Sequence, residues 1–226
     1  MNFLSHYYFD KDTTDSYKVL GALLPDLTKN ANKEWKLFPE KKQDSLYPTV
    51  ELQSVTKGWK KHLAIDRIFH NMSSFFYHQH ELKEQISPVI TGSPIKPFFI
   101  GHIGFELCLD HLLLKHSKID LQKLYKHLKS VDYSVLDDFL KINGISNTSV
   151  FFNYYTNFVK EEYLKTYIKP QSISYAIKRI CLRIWETPLR SQQKENITHI
   201  INEYISLLEE DFMVIFDEIE AQLINE

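Results

Sequence analysis

Between Leu52 and Ile86 the chain has a single glycine, Gly58, and no proline. Apolar side chains recur through this run at Val55, Trp59, Leu63, Ile65, Ile68, Phe69, Phe75 and Phe76, at helical rather than alternating spacing. A strand usually ends after about five or six residues, so the run reads as one long helix or two in succession. The same scarcity of chain-breakers holds throughout, with six Gly and eight Pro among 226 residues. That is too few to turn the many short strands of a sandwich or barrel. No period-two alternation persists beyond a few residues, and neither an internal repeat nor a Gly/Ser-rich linker occurs. The expected class is all-α, one single-domain helical bundle over residues 1–226.

The remaining breakers divide this bundle. Ser87 to Pro97 holds three prolines and Gly92, which forbids continuation of the first helical run. Helices are expected from Phe98 to His116, at about 119–129, and at 133–142 with Gly144 as a left-handed cap. Asn147-Thr-Ser offers an N-cap for a helix reaching Ile168. Ser172 or Ser174 begins another that extends to Trp185 and stops before Pro188. A last helix is drawn by Ile197, Ile201, Tyr204, Leu208, Phe212, Ile215, Ile219 and Leu223, with Glu209, Glu210, Asp217, Glu218 and Glu220 on its solvated face.

Twenty-seven Lys+Arg against 29 Asp+Glu leave a formal charge of -2. No overall field of this kind holds nucleic acid or a membrane surface. Cys108 and Cys181 lie within apolar helical runs and read as reduced core residues. The first ten residues carry no Lys or Arg, unlike a signal peptide, and no uninterrupted apolar stretch approaches 18 residues. The expected location is the cytoplasm. No Walker loop, Gly-x-Gly-x-x-Gly or Gly-x-Ser-x-Gly is present.

Ten histidines are many for so neutral a chain, and some stand beside carboxylates at turn spacing. His62, Asp66 and His70 fall at i, i+4 and i+8, along one helical stripe. His102, Glu106 and Asp110 repeat the pattern on the following helix. A neutral imidazole and a carboxylate one turn apart can share a divalent ion. The outer members of a stripe are about 12 Å apart, so two ions would be needed to engage all three. Six such groups among Ile65, Phe69, Phe105, Leu109 and Leu112 are costly to bury as separate pairs, and a metal resolves the cost. The competing reading is a purely structural hydrogen-bond network. Lys29, Lys33, Lys36, Lys41 and Lys42, with Lys57, Lys60, Lys61 and Arg67, either frame an anion site or form a solvated basic surface.

These residues sit within segments that resemble the acyl carrier protein phosphodiesterase family, a helical group distantly related to HD-type metal phosphohydrolases. The likeness rests on Met1-Asn-Phe-Leu-Ser-His6, Leu20-Gly-Ala-Leu-Leu-Pro-Asp26, the segment Gly58-x3-His62-x2-Ile-Asp66, and Asp110-His111-Leu-Leu, with weaker echoes at Tyr163-Leu164, Tyr167 and Arg183. It implies an HD-like bundle, Mn²⁺ or a similar divalent ion, and metal or catalytic roles for Asp26, His62, Asp66 and Asp110, with His6 and His111 in reserve. It also implies holo-acyl carrier protein as substrate and 4'-phosphopantetheine as product. The chain departs from the family pattern at Lys60, where the family has His, at Leu63 and Ala64, where it has two Arg, and at Phe69-His70, where it has Thr-Asp.

The expected function is therefore a metal-dependent phosphodiesterase. Its ion would be held by Asp26, His62, Asp66, His102 and Asp110, with Asp26, His70, Glu106 and His111 in catalysis. Lys60, Lys61, Arg67 and Arg183 would meet the substrate. Two other readings stay open: a di-iron or di-manganese bundle oxidase, although that class uses steps of three, and a non-catalytic module that binds a carrier protein or another ligand.

Overall fold

A computed structural model describes residues 1–186 and 189–224. Among these the regular structure is helical. In chain order the α-helices are α1 (Phe3–Tyr8), α2 (Ser16–Ala31), α3 (Val50–Asn71), α4 (Ser73–Ile86), α5 (Pro97–Lys115), α6 (Leu121–Ser130), α7 (Tyr133–Ile142), α8 (Ser149–Glu161), α9 (Pro170–Cys181), α10 (Ser191–Leu208) and α11 (Phe212–Ile224). The run from Leu52 to Ile86 is thus two helices in succession. The chain divides into two compact units. One comprises Met1–Ser5, Arg67–Lys118 and Lys165–Glu226, the other His6–Asp66 and Ile119–Leu164.

In the first unit α4, α5, α9 and α10 pack on one another. The helix α5 presents Gly101 to α4 so closely that a Cβ there would lie 2.7 Å from the Gln79 carbonyl oxygen. Ile100, Phe105, Leu109, Leu112 and Leu113 are buried around it. Among the described residues α5 is the one helix long and apolar enough to cross a membrane, and most of it is buried within the protein.

In the second unit α2 packs against α6 and α8. Asp15 caps α2 by accepting from the Tyr17 and Lys18 amides. The crossing of α2 with α3 is closer still than the one at Gly101. A Cβ on Gly21 would lie 2.1 Å from the Val55 carbonyl oxygen, and one on Gly58 would lie 2.1 Å from that of Lys18. Only paired glycines admit this contact.

Three boundaries differ from the periodicity. The helix expected to reach Ile168 ends at Glu161, because Glu162 takes a left-handed φ of 47° and a 3-10 turn follows over Tyr163–Ile168. The next begins at Pro170, whose missing N–H is tolerated at a first helical position, and ends at Cys181 rather than Trp185. Pro188, the expected stop, lies outside the described residues. The single last helix is two, α10 and α11, interrupted at 209–211. The apolar step from Leu208 to Phe212 keeps helical spacing across the break, which hides it from a pattern search.

Candidate functional site

Pro25 lies inside α2. It lacks an N–H, so the Gly21 carbonyl four residues before it has no helical donor from position 25. The next carbonyl along, that of Ala22, accepts a hydrogen bond from His62 Nδ1 at 2.7 Å. The Gly21 and Gly58 contact brings α3 near enough for this bond to form. With Nδ1 held by Ala22, the His62 ring directs Nε2 toward Asp66, whose Oδ2 is 3.5 Å away.

His6 completes the group. Its ring stacks on His62 with centroids 3.6 Å apart and planes 14° from parallel. Its Nε2 is 3.2 Å from Asp66 Oδ1, yet neither ring nitrogen has a hydrogen-bond partner of acceptable geometry among the described residues. His6 is wholly buried, whereas Asp66 keeps about a third of its side chain open (31%). One atom from each of His6, His62 and Asp66 lies within 4.8 Å of the others, which is the spacing of ligands about one ion.

Burial first, and then the neighbouring His62 charge, pull the His6 pKa down to about 3. Its imidazole is therefore neutral and able to donate a lone pair at physiological pH. Burial also works against a charged His62, but the Asp66 hydrogen bond and the Asp26 charge outweigh it and raise that pKa. Burial pushes the Asp66 carboxyl upward, while contacts with His6 and His62 help to hold it far below the usual carboxylate range. Asp26 thus acts on the same group through its charge.

The first unit holds a second convergence. Glu106 Oε1 lies 3.3 Å from His70 Nε2, 3.1 Å from His102 Nε2 and 3.0 Å from the Met1 amino group. Burial raises the Glu106 pKa, but these cationic and donor groups overcome it and leave the carboxyl well below its ordinary range.

The two sequence stripes are therefore regrouped. His62 and Asp66 join His6, while His70 joins His102 and Glu106. Asp110, expected as a ligand beside His102 and Glu106, belongs to neither group. Its carboxyl accepts from the Leu4 amide (3.1 Å), the Ser5 amide (2.8 Å) and the Ser5 hydroxyl (2.7 Å), so it caps the first turn of α1. Full burial drives its pKa up to about 7 against the pull of these bonds. His111 donates from Nδ1 to the Tyr167 carbonyl at 2.7 Å, and its buried Nε2 has no hydrogen-bond partner among the described residues.

The expected substrate contacts are divided between the two units. Lys61 reaches the buried Asp10 at 2.8 Å and donates to the Phe9 carbonyl, so its charge is committed within the second unit. Lys60 is half-exposed, 3.6 Å from Asp44. Arg67 and Arg183 are exposed and belong to the first unit. What spacing along the chain did not reveal is that His6 stacks on His62 and that Ala22 orients it. Pro25 within a helical run is the one local irregularity near that carbonyl.

Comparison with known families gives one match along almost the whole chain. The model of the family described as acyl carrier protein phosphodiesterase matches residues 1–219. No curated protein and no solved structure matches.

Proposed function

The chain belongs to the acyl carrier protein phosphodiesterase family, and from that premise we propose that it is a divalent-metal-dependent phosphodiesterase acting on holo-acyl carrier protein. The observation that carries the metal reading is the buried His6, whose ring nitrogens lack hydrogen-bond partners among the described residues while one faces the same carboxylate as His62. A fully buried imidazole that meets only a carboxylate, without hydrogen-bond geometry, is costly unless a ligand takes its lone pair. The donor set fits a divalent ion: two neutral-capable imidazoles and a carboxylate, with Asp26 close enough to act on His62 by charge. Mn²⁺ is the ion that the family resemblance implies.

A bound ion supplies Lewis-acid polarisation of a phosphoryl oxygen and acidifies a water molecule. The residues do the rest. The Ala22 carbonyl holds the His62 tautomer, and burial keeps His6 unprotonated. Asp66, ionised and part-open, forms the solvent-facing side of the group. Asp26 is the candidate base for the attacking water. Water oxygen bonds to phosphorus, the bond from phosphorus to the carrier serine oxygen breaks, and that oxygen takes a proton. The products are the apo carrier and 4'-phosphopantetheine. The exposed Lys33, Lys36 and Lys41 are suited to an acidic protein partner.

The test is the mass of holo-acyl carrier protein incubated with chelator-treated enzyme, before and after Mn²⁺ is restored. Loss of the phosphopantetheine mass should require the ion, and His6→Ala, His62→Ala and Asp66→Ala should each lower turnover by at least about a hundredfold. Unchanged turnover and metal content in these variants would overturn the reading. Carrier binding without turnover under Mn²⁺, Mg²⁺ or Zn²⁺ would replace it with a binding module.

A further inference from the structure

The group formed by His70, His102 and Glu106 is not used in the scheme above. We propose that it is a second, separate cation site in the first unit, built for a nitrogen-preferring divalent ion of the Zn²⁺ class.

Its geometry carries the proposal. His102 and Glu106 are one turn apart on α5, and both His70 and His102 direct Nε2 at the same oxygen, Glu106 Oε1, from 3.3 and 3.1 Å. The Met1 amino group meets that oxygen too, at 3.0 Å. One carboxylate oxygen offers about two lone-pair directions, fewer than the three nitrogens that converge on it. If every nitrogen donates, the oxygen is overcommitted. If one histidine is unprotonated, its lone pair faces an anion. A cation seated among the two Nε2 atoms and the carboxylate removes both difficulties, and one atom from each residue already lies within 4.8 Å of the others.

The surroundings hold the rings in place for such an ion. The buried Phe75 meets His70 and His102 edge-on, at centroid distances of 4.9 and 5.1 Å. This apolar wall restricts ring rotation on one side. Both histidines nevertheless keep about a third of their side chains exposed, so an ion can enter from solvent. Two imidazoles and one carboxylate suit Zn²⁺, Co²⁺ or Ni²⁺ better than Mg²⁺ or Ca²⁺, which favour oxygen. The site contains His70, one of the positions where the chain departs from the family pattern. Its occupancy does not depend on the phosphodiesterase reading.

The deciding measurement is stoichiometry. Full-length protein stripped with chelator is dialysed against Zn²⁺, and bound ion per chain is counted by elemental analysis. Co²⁺ absorption in parallel reports the ligand set. Two equivalents are expected for the unaltered chain. His102→Gln and Glu106→Gln should each lose one and change the Co²⁺ spectrum, while His62→Ala keeps that equivalent. If Glu106→Gln does not fold, His102→Gln decides alone, since His102 is part-exposed and its replacement leaves the buried carboxylate in place.

An unchanged ion count and spectrum in His102→Gln would overturn the proposal and leave the three nitrogens as a charge-neutralising network. One equivalent in the unaltered chain, lost in His62→Ala, would do the same. Loss of an equivalent in His102→Gln from a protein with no phosphodiesterase turnover would sustain this site and sink only the earlier reading.

Discussion

Replacing Gly58 by alanine sets two physical effects against each other. In an exposed helix interior the change stabilises by about 1 kcal/mol, because glycine has more backbone entropy to lose. Here the added Cβ would lie 2.1 Å from the Lys18 carbonyl oxygen, 2.7 Å from the Ala22 nitrogen and 2.9 Å from the Gly21 carbonyl carbon, whereas Cβ atoms essentially never approach within 3.0 Å. All three atoms belong to backbone, so no side chain can swing aside. The two helices must part by about 1 Å, an overpacking cost of about 3 kcal/mol at the upper end of the usual range. The net expectation is destabilisation of about 2 kcal/mol, or a fall in Tm of roughly 4–8 °C for a chain of this size. Parting the helices also stretches the 2.7 Å bond from His62 to the Ala22 carbonyl, so metal uptake by the His6 group should weaken along with stability. Thermal denaturation followed by circular dichroism, with Mn²⁺ titration of the folded variant, measures both. A Gly58→Ala protein with a raised Tm and unaltered ion affinity would refute the claim that this glycine seats the site.

Asp110 gives a pH signature. Its folded pKa, about 7, is raised above the ordinary carboxylate value, so between about pH 4 and 7 the native state holds the extra proton. Its contribution to stability is fully present below about pH 4 and is lost as pH rises through 7, by at most about 4 kcal/mol. Asp110→Asn should flatten that slope in urea melts across the window even if it lowers stability overall, and an unchanged slope would contradict the assignment. The two neighbouring lysines should separate clearly. Lys61→Met takes one of two cations from the buried Asp10 and should cost about 1–3 kcal/mol, whereas Lys60→Met should stay within about 0.5 kcal/mol. Equal losses in denaturant melts would show that Lys61 is not the committed charge described above.

The helices from α3 onward were legible because their cause is local, whereas α1 and α2 were not assigned from the sequence. Apolar spacing, the proline cluster from Ser87 to Pro97 and the left-handed Gly144 (φ 96°) each act within a few residues. The breaks at Glu162 and at 209–211 were not, since a helix can end without its apolar pattern changing. For the site, the residue types and their helices could be read directly: His62 with Asp66 and His102 with Glu106 are i,i+4 pairs in the folded chain too. The third member of each group could not be read that way. His70 continues one stripe by spacing but faces the carboxylate of another helix, and Asp110 continues the other stripe but caps α1.

The sequence by itself determined an all-α protein with histidine and carboxylate pairs aligned one turn apart, because helical periodicity is a property of the backbone and needs no distant partner. Only the tertiary structure decided which residues complete each group. His6 lies 56 positions from His62, and Ala22 contributes a carbonyl rather than a side chain. The bond from His62 to Ala22 depends on the packing of α2 against α3 across two glycines, where the absence of side chains allows an approach that helical spacing does not encode.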